Sequence, residues 1–262
     1  MPDGVADTVP SAARMYDYLL GGGHNFAVDR ELIDKINIAA PLVGQMALRN
    51  RAFLRRAVLT LVESGIRQFL DLGSGIPTVG NVHEIAQQAD PDARVVYVDN
   101  EPVAISHSEL VLEDNDRATA ILADMRDPAS ILEHPKTQQL LDFDAPIGLL
   151  MVTVFHYVAD SDGPTELLAR YRQALVPGSY LALSHLRSDD TSADVTGIVE
   201  LMKNGANPIY PRSRAAIADL FAGFGLLEPG LVPTPQWRPD SAREAERGLS
   251  DDPVLAGVGI KL

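Results

Sequence analysis

The feature that most constrains this chain is a change of period at Gly65. Beyond it, short and nearly continuous apolar runs alternate with helical stretches. Residues 67–72, 94–99, 118–123, 146–152 and 180–186 read as strands, with helices predicted at 79–89, 102–115, 128–133 and 165–175. A strand that is apolar along its whole length has to be covered on both faces, and crossover helices do this to a parallel sheet. Strand–helix alternation with right-handed crossovers leads to a doubly wound α/β fold.

The two ends differ from this middle. Residues 11–64 have helical period throughout. The first helix starts at Ser11 as its cap, carries Met15, Tyr18, Leu19 and Leu20, and ends at Gly21-Gly22-Gly23. A second is expected at 27–39, broken by Pro41. A third spans 42–63 with Leu54, Val58, Leu61 and Val62 on one side, and Gly65 stops it. We therefore expect a helical cap or lid over 1–64 and the α/β unit over 65–262. Late in the chain, helical stretches at 194–204 and 212–221 precede an extended 226–237 and a strand-like 254–262. These two extended pieces predict an antiparallel hairpin closing a seven-stranded sheet, with a mobile loop at 238–252.

Composition removes several chemistries. There is no cysteine, hence no disulfide and no thiolate. The six histidines lack metal-ligand spacing, so no metal is expected. Gln87 stands where the second histidine of a zinc-protease motif begun by His83-Glu84 would be, and neither a nucleophile elbow nor a P-loop is present. A formal charge of −14, from 36 acidic and 22 basic residues, repels polyanions. Arg49, Arg51, Arg55 and Arg56 form a candidate basic patch that reads more simply as a solvated helix face. A small-molecule partner is expected rather than nucleic acid. Residues 1–10 lack the pattern of a secretory signal and the apolar runs are strand-sized, so a cytoplasmic location without a membrane segment is expected.

The strongest local signal is Phe69-Leu70-Asp71-Leu72-Gly73-Ser74-Gly75, a strand running straight into glycines. Such a turn brings backbone N–H groups close to a ligand, and the following helix is expected to point its N-terminus there. The next strand ends at Asp99, where a carboxylate can take both hydroxyls of a ribose; capping the helix at Glu101-Pro102 is the alternative, and the two are compatible. Thr78 replaces the third glycine of a dinucleotide fingerprint, and Asp71 opposes a pyrophosphate. An aspartate there suits a cationic cofactor bearing a sulfonium and an α-amino group. Asp124-Met125, after the third strand, can take an adenine amino group and pack on the ring, or Asp124 and Asp127 can cap the helix at Pro128.

The order Asp71-x-Gly73-x-Gly75, Asp99, Asp124-Met125 resembles the class I, Rossmann-like S-adenosylmethionine-dependent methyltransferases. More specifically, Arg14-Met15-Tyr16-Asp17-Tyr18-Leu19-Leu20-Gly21-Gly22-Gly23-His24-Asn25-Phe26, followed by Asp29-Arg30, resembles a bacterial family of such proteins with an Arg-x-Tyr-Asp-x-x-Leu-Gly-Gly segment. The resemblance implies S-adenosylmethionine as cofactor. Asp71, Gly73, Ser74 and Gly75 would hold its methionine part, Asp99 and Asn100 the ribose side, and Asp124 and Met125 the adenine. It also implies a lid made by Tyr16, Asp17, Tyr18, Gly21, Gly22, Gly23, His24 and Asn25, whose aromatic faces attract a sulfonium and whose Tyr18 would face the acceptor; packing of Tyr16 and Tyr18 onto the domain is the alternative. After the fourth strand, Thr153 and His156 would face the reaction, with His156 the candidate base or substrate contact. The resemblance does not supply the acceptor. A nucleotide-dependent dehydrogenase and a non-catalytic binding module are the rival readings.

Overall fold

The computed structural model describes residues 8–78, 80–189, 193–241 and 252–262. Its sheet is built on β1 (Gln68–Leu72), which is buried at every position. β2 (Arg94–Asp99) and then β3 (Ala118–Leu122) lie parallel on one side of it; β4 (Gly148–Val152) and then β5 (Tyr180–Leu186) lie parallel on the other. β8 (Val254–Lys261) runs antiparallel along β5 and separates it from β6 (Phe224–Leu226). The order is β3-β2-β1-β4-β5-β8-β6, and the two-residue β7 (Val232–Pro233) also pairs with β8. The described sheet therefore has an eighth short strand beyond the seven expected. The expected extended piece 226–237 is broken because Pro233 and Pro235 have no N–H to continue a ladder, and Thr234–Gln236 turns as a 3-10 helix. Residues 242–251 of the expected mobile loop lie outside the described residues.

Alternate residues of β1 enter different cores. Phe69 packs with Phe53, Leu54, Val58 and Leu61 of α3 (Val43–Glu63). Leu70 and Leu72 pack toward Leu167, Leu168 and Tyr171 of α8 (Pro164–Ala174). The approach of α3 is close: a Cβ on Gly148 would lie 2.7 Å from Leu61 Cδ2 and 2.9 Å from Phe69 Cδ1. The period change at Gly65 thus falls inside one packed unit. α3, assigned by sequence to the cap, is a covering layer of the sheet, and the cap proper is α1 (Ala12–Leu19) and α2 (Ala27–Ala39). These meet α9 (Ala193–Met202) in a third cluster through Met15, Ile33, Ile36, Val195, Ile198 and Met202.

Other helices deviate in ways that side chains explain. α4 (Val82–Ala89) starts three residues later than expected, after Asn81, whose N–H is taken by Glu84 Oε2 at 2.9 Å. α5 (Pro102–Val111) stops before Glu113 and Asp114, acidic residues that a helix C-terminus disfavours. α6 (Pro128–Leu132) is followed by α7 (Pro135–Leu140), unanticipated because Thr137 is its one buried residue and no apolar stripe announces it. α10 (Arg214–Asp219) is shorter than expected. Ser11 occupies the start of α1 without a side-chain cap bond.

The arginines of α3 are not a uniform solvated face: Arg55 stays half exposed, but others are drawn into the structure. Arg56 is 3% exposed and donates to the carbonyls of Trp237 (2.9 Å) and Thr234 (2.7 Å). Arg49 pairs with buried Asp252, and Arg55 with Asp240. They fasten the C-terminal segment onto the helix.

Candidate functional site

The N-terminal motif resolves first into internal contacts. Arg14, buried, donates from Nε to Asp29 Oδ2 at 2.8 Å and lies over the Phe26 ring, 4.7 Å from its centroid. Asp29 also accepts the N–H groups of Ser11 and Phe26. Asp17 Oδ2 accepts the His24 N–H at 2.8 Å and Asn25 Nδ2 at 2.9 Å. A Cβ on Gly22 would sit 2.0 Å from Asp17 Oδ1, so this glycine is required by space. Tyr18 packs against the cap cluster. Tyr18, Gly21 and Asn25 are not among the residues lining the cavity below, and the Asn25 amide is spent on Asp17 Oδ2 and the Gly22 carbonyl. Tyr16 is the motif residue that reaches it.

That cavity, about 230 Å³, opens at the C-terminal ends of β1 to β4. Its floor is the turn after β1. Gly73 has φ +69°, and a Cβ there would lie 2.1 Å from Val154 Cγ2, so both angle and space demand glycine. Its N–H and that of Ser74 bond the Val98 carbonyl at 2.8 and 3.1 Å, tying the turn to β2. Gly75 has φ +67°, and its Cβ direction is open space. Its N–H donates to Asp99 Oδ2 at 2.7 Å, while Asp99 Oδ1 accepts the Glu101 N–H at 2.9 Å. Asp99 thus fastens the start of α5 and lines the cavity together. The start of α4 does not line it, since Glu84 takes the N–H groups of Gly80 and Asn81.

Two carboxylates here are perturbed. Asp71 is 6% exposed, and burial pushes it up to about 7, with Arg51 opposing and Asp99 adding. Among the described residues its carboxylate accepts no hydrogen bond. Asp99, 8% exposed, is raised to about 6 by burial against the pull of its backbone donors. Asn100, Asp124 and Met125 complete this side. Asp124 is held low, chiefly by Arg126, whose Nη2 lies 2.6 Å from Oδ2. Met125 is fixed by Tyr171, whose hydroxyl donates to its carbonyl at 2.7 Å.

At the end of β4, Thr153 has φ +52°, a conformation costing on the order of 1–3 kcal/mol for a non-glycine residue. Its bonds hold it there. Its N–H donates to Ser184 Oγ at 2.9 Å, and its hydroxyl accepts Asn50 Nδ2 at 2.9 Å. Asn50 Oδ1 accepts the Ser184 hydroxyl at 2.7 Å, and Asn50 Nδ2 also reaches the Tyr16 hydroxyl at 2.9 Å. Asn50, Tyr157, Asn207 and Tyr210 line the cavity without having been singled out from sequence, as do Arg51 and Glu101, which were read there only as part of a basic patch and as a helix start. Asn50 carried a readable signal: it interrupts the apolar face of α3 between Met46 and Leu54, four residues from each.

A second cavity, about 110 Å³, adjoins the first and shares Tyr16, Asn50, Thr153 and Tyr157 with it. His156 lines this second space, not the first. Burial, then His185 and Arg212, hold its imidazole well below the usual histidine range, and Nδ1 is buried with no partner among the described residues.

A parallel sheet with an antiparallel β8 inserted beside β5, and a cavity over buried acidic residues at the ends of β1 and β2, defines the class as the Rossmann-like methyltransferase fold. The chain belongs to the S-adenosyl methyltransferase family, whose profile matches residues 2–262. A crystal structure from Thermobifida fusca YX, named as a methyltransferase on assignment, is 39% identical with a TM-score of 0.94, covering 99% of this chain and 98% of that one. A DUF574 family protein from Streptomyces avermitilis MA-4680 is 36% identical with a TM-score of 0.92, covering 97% and 98%. The 1,6-didemethyltoxoflavin-N1-methyltransferase of Burkholderia thailandensis, solved with 1,6-didemethyltoxoflavin and S-adenosylhomocysteine, shares the fold at 18% identity and a TM-score of 0.50, covering 98% and 93%. Comparison with curated proteins gives no match. The cofactor is S-adenosylmethionine. The residues present fit it: the buried Asp71 carboxylate accepts no hydrogen bond and the buried Ser74 hydroxyl has no partner among the described residues, and the Cβ direction of Gly75 is open space.

Proposed function

We propose that the chain is an active methyltransferase that transfers the methyl group of S-adenosylmethionine to a small molecule. The observation that carries this is the pair of adjoining cavities, one floored by Asp71 and Asp99 and the other walled in part by the cap, meeting at Thr153 and Asn50. When bound, the cofactor supplies an electrophilic methyl group on a sulfonium with a neutral leaving group. Asp71 would hold the cationic amino-acid end, and Asp99 the ribose hydroxyls beside Asn100. Met125 would pack on the adenine, with Asp124 oriented at its edge by Arg126. Thr153, at the junction, orients what lies on either side of it.

Apart from the carboxylates assigned to the cofactor, the described residues at the junction and in the second cavity include no strong base. His156 is held well below its ordinary range, and burial raises Tyr16 and Tyr157, so both keep their protons at neutral pH. The residues therefore act by aligning two reactants and excluding water, which suits displacement at a sulfonium methyl. A space of about 110 Å³ lined mainly by apolar side chains favours a small molecule, and the charge of −14 disfavours nucleic acid. The cysteine-free sequence fits a reducing compartment, so a cytoplasmic location is part of the same proposal. Among the described residues no helix is long and apolar enough to cross a membrane. The test is incubation with methyl-labelled S-adenosylmethionine and a fractionated cell extract. Label should enter a low-mass product; label confined to macromolecules, or none transferred, would refute the reading.

A further inference from the structure

We infer that the second cavity is the acceptor chamber, and that it takes a neutral, single-ring, largely apolar molecule whose one polar group meets the Tyr157 hydroxyl. The inference rests on the proposed methyl transfer for the word acceptor, but the ligand chemistry follows from the walls alone. These come from α1, α2, α3 and α9, through Met15, Ile33, Ile36, Met46, Ile198 and Met202. The polar residues lining the space are Tyr16, Asn50, Thr153, His156 and Tyr157. Among the described residues, no aspartate, glutamate, lysine or arginine lines it. A charged ligand would lose its hydration there with no counter-ion, a cost that apolar contact cannot offset.

Size narrows the class further. An apolar cavity of about 150 Å³ holds benzene; about 110 Å³, with its throat open to the first cavity, suits one ring and a short substituent. The polar residues are not scattered. Tyr16, Asn50, Thr153 and Tyr157 all stand at the throat, on the side facing the cofactor site. Tyr16, Asn50 and Thr153 are bound to one another, to Ala47 and to Ser184. The Tyr157 hydroxyl makes no hydrogen bond among the described residues and lines both cavities. It is the unbonded polar group at the throat, on the cofactor side, and so the one placed to orient an acceptor oxygen or nitrogen; His156 Nδ1, also without a described partner, is buried and lines the second cavity alone. An acceptor O–H held there would give an oxygen lone pair to the methyl carbon as the carbon–sulfur pair stays on sulfur, and its proton would pass to solvent water.

The test uses the full chain with methyl-labelled isoleucine and methionine, titrated by NMR with 4-ethylphenol and, separately, with 4-hydroxyphenylacetate. Both titrations are run with and without S-adenosylhomocysteine. We expect saturable shifts confined to Ile33, Ile36, Ile198, Met15, Met46 and Met202 with the neutral phenol, and at least tenfold weaker binding of the anion. Ile198→Trp, or Met46→Trp if the first fails to fold, should abolish the phenol shifts and leave S-adenosylhomocysteine affinity within threefold. Tyr157→Phe should weaken the phenol at least threefold while the shifts stay in the same methyl groups. No shifts, shifts elsewhere, or equal affinity for the anion would overturn the inference on the wild-type protein alone. Chamber binding of 4-ethylphenol by a protein that takes no S-adenosylhomocysteine would support the ligand class and refute the methyl-transfer reading instead.

Discussion

Asp71→Asn isolates the electrostatics of the cofactor site. In the folded protein Asp71 is raised to about 7, against 3.8 for a free aspartate, with burial as the main cause. Because the folded value lies above the unfolded one, protonation favours folding. That contribution is complete below about pH 4 and is lost as the pH climbs through about 7. The gap, at ~1.4 kcal/mol per pH unit, makes the ionised carboxylate cost the ligand-free protein ~4 kcal/mol at alkaline pH. A cation in the cavity reverses the preference and binds the ionised form. The ionised share of a group titrating near 7 rises from about 3% at pH 5.5 to about 90% at pH 8, so affinity should rise about thirtyfold, or ~2 kcal/mol, over that range. Asp99, at about 6, adds a shallower rise of roughly fourfold, which the variant should keep. The assay is calorimetric titration of S-adenosylhomocysteine between pH 5.5 and 8, with chemical denaturation of both proteins at pH 8. The variant should lose the steep part of the profile and be the more stable of the two without ligand. A flat wild-type profile, or a variant that keeps the thirtyfold rise, would refute the reasoning.

Three further substitutions probe other parts of the account. Asp99→Asn keeps the size of the side chain but removes the charge and can accept only one of the two backbone N–H groups, Gly75 or Glu101, that the carboxylate takes; it should weaken S-adenosylhomocysteine by about 1–3 kcal/mol in calorimetry, and a change below about threefold would leave Asp99 without a part in binding. Arg14→Met strands buried Asp29 and should cost ~3–5 kcal/mol in urea denaturation. A loss under about 1 kcal/mol would show the network to be incidental. Gly22→Ala drives a methyl into Asp17 and should destabilise by ~1–3 kcal/mol, read as a lower melting temperature; an unchanged one would contradict the packing.

The strands were legible because burial on both faces leaves an unbroken apolar run: β2 and β5 span the residues expected, 94–99 and 180–186. The glycine turn and the acidic strand ends were legible for a similar reason, since Gly73 has neither the angle nor the space for a side chain. α7 was not, because a helix burying little has no period to read. The N-terminal motif illustrates a different limit. Polar side chains beside glycines can bind a ligand or bind each other, and local sequence does not separate the two; Asp17 and Asn25 bind each other. The arginines of α3 depended on partners far along the chain, Thr234, Trp237, Asp240 and Asp252, which no local pattern reveals. Asn50 was legible in principle as a polar break in an apolar stripe, but its partners Thr153 and Ser184 come together only through the sheet.

The central claim is that the cavity over Asp71 and Asp99 holds the cofactor. The structure of the protein with S-adenosylhomocysteine bound tests it most directly. The account predicts the ligand's amino group within hydrogen-bond distance of the Asp71 carboxylate and its ribose hydroxyls on Asp99, beside the Gly73–Gly75 turn. A ligand bound elsewhere, or in this cavity with neither carboxylate in contact, would contradict it.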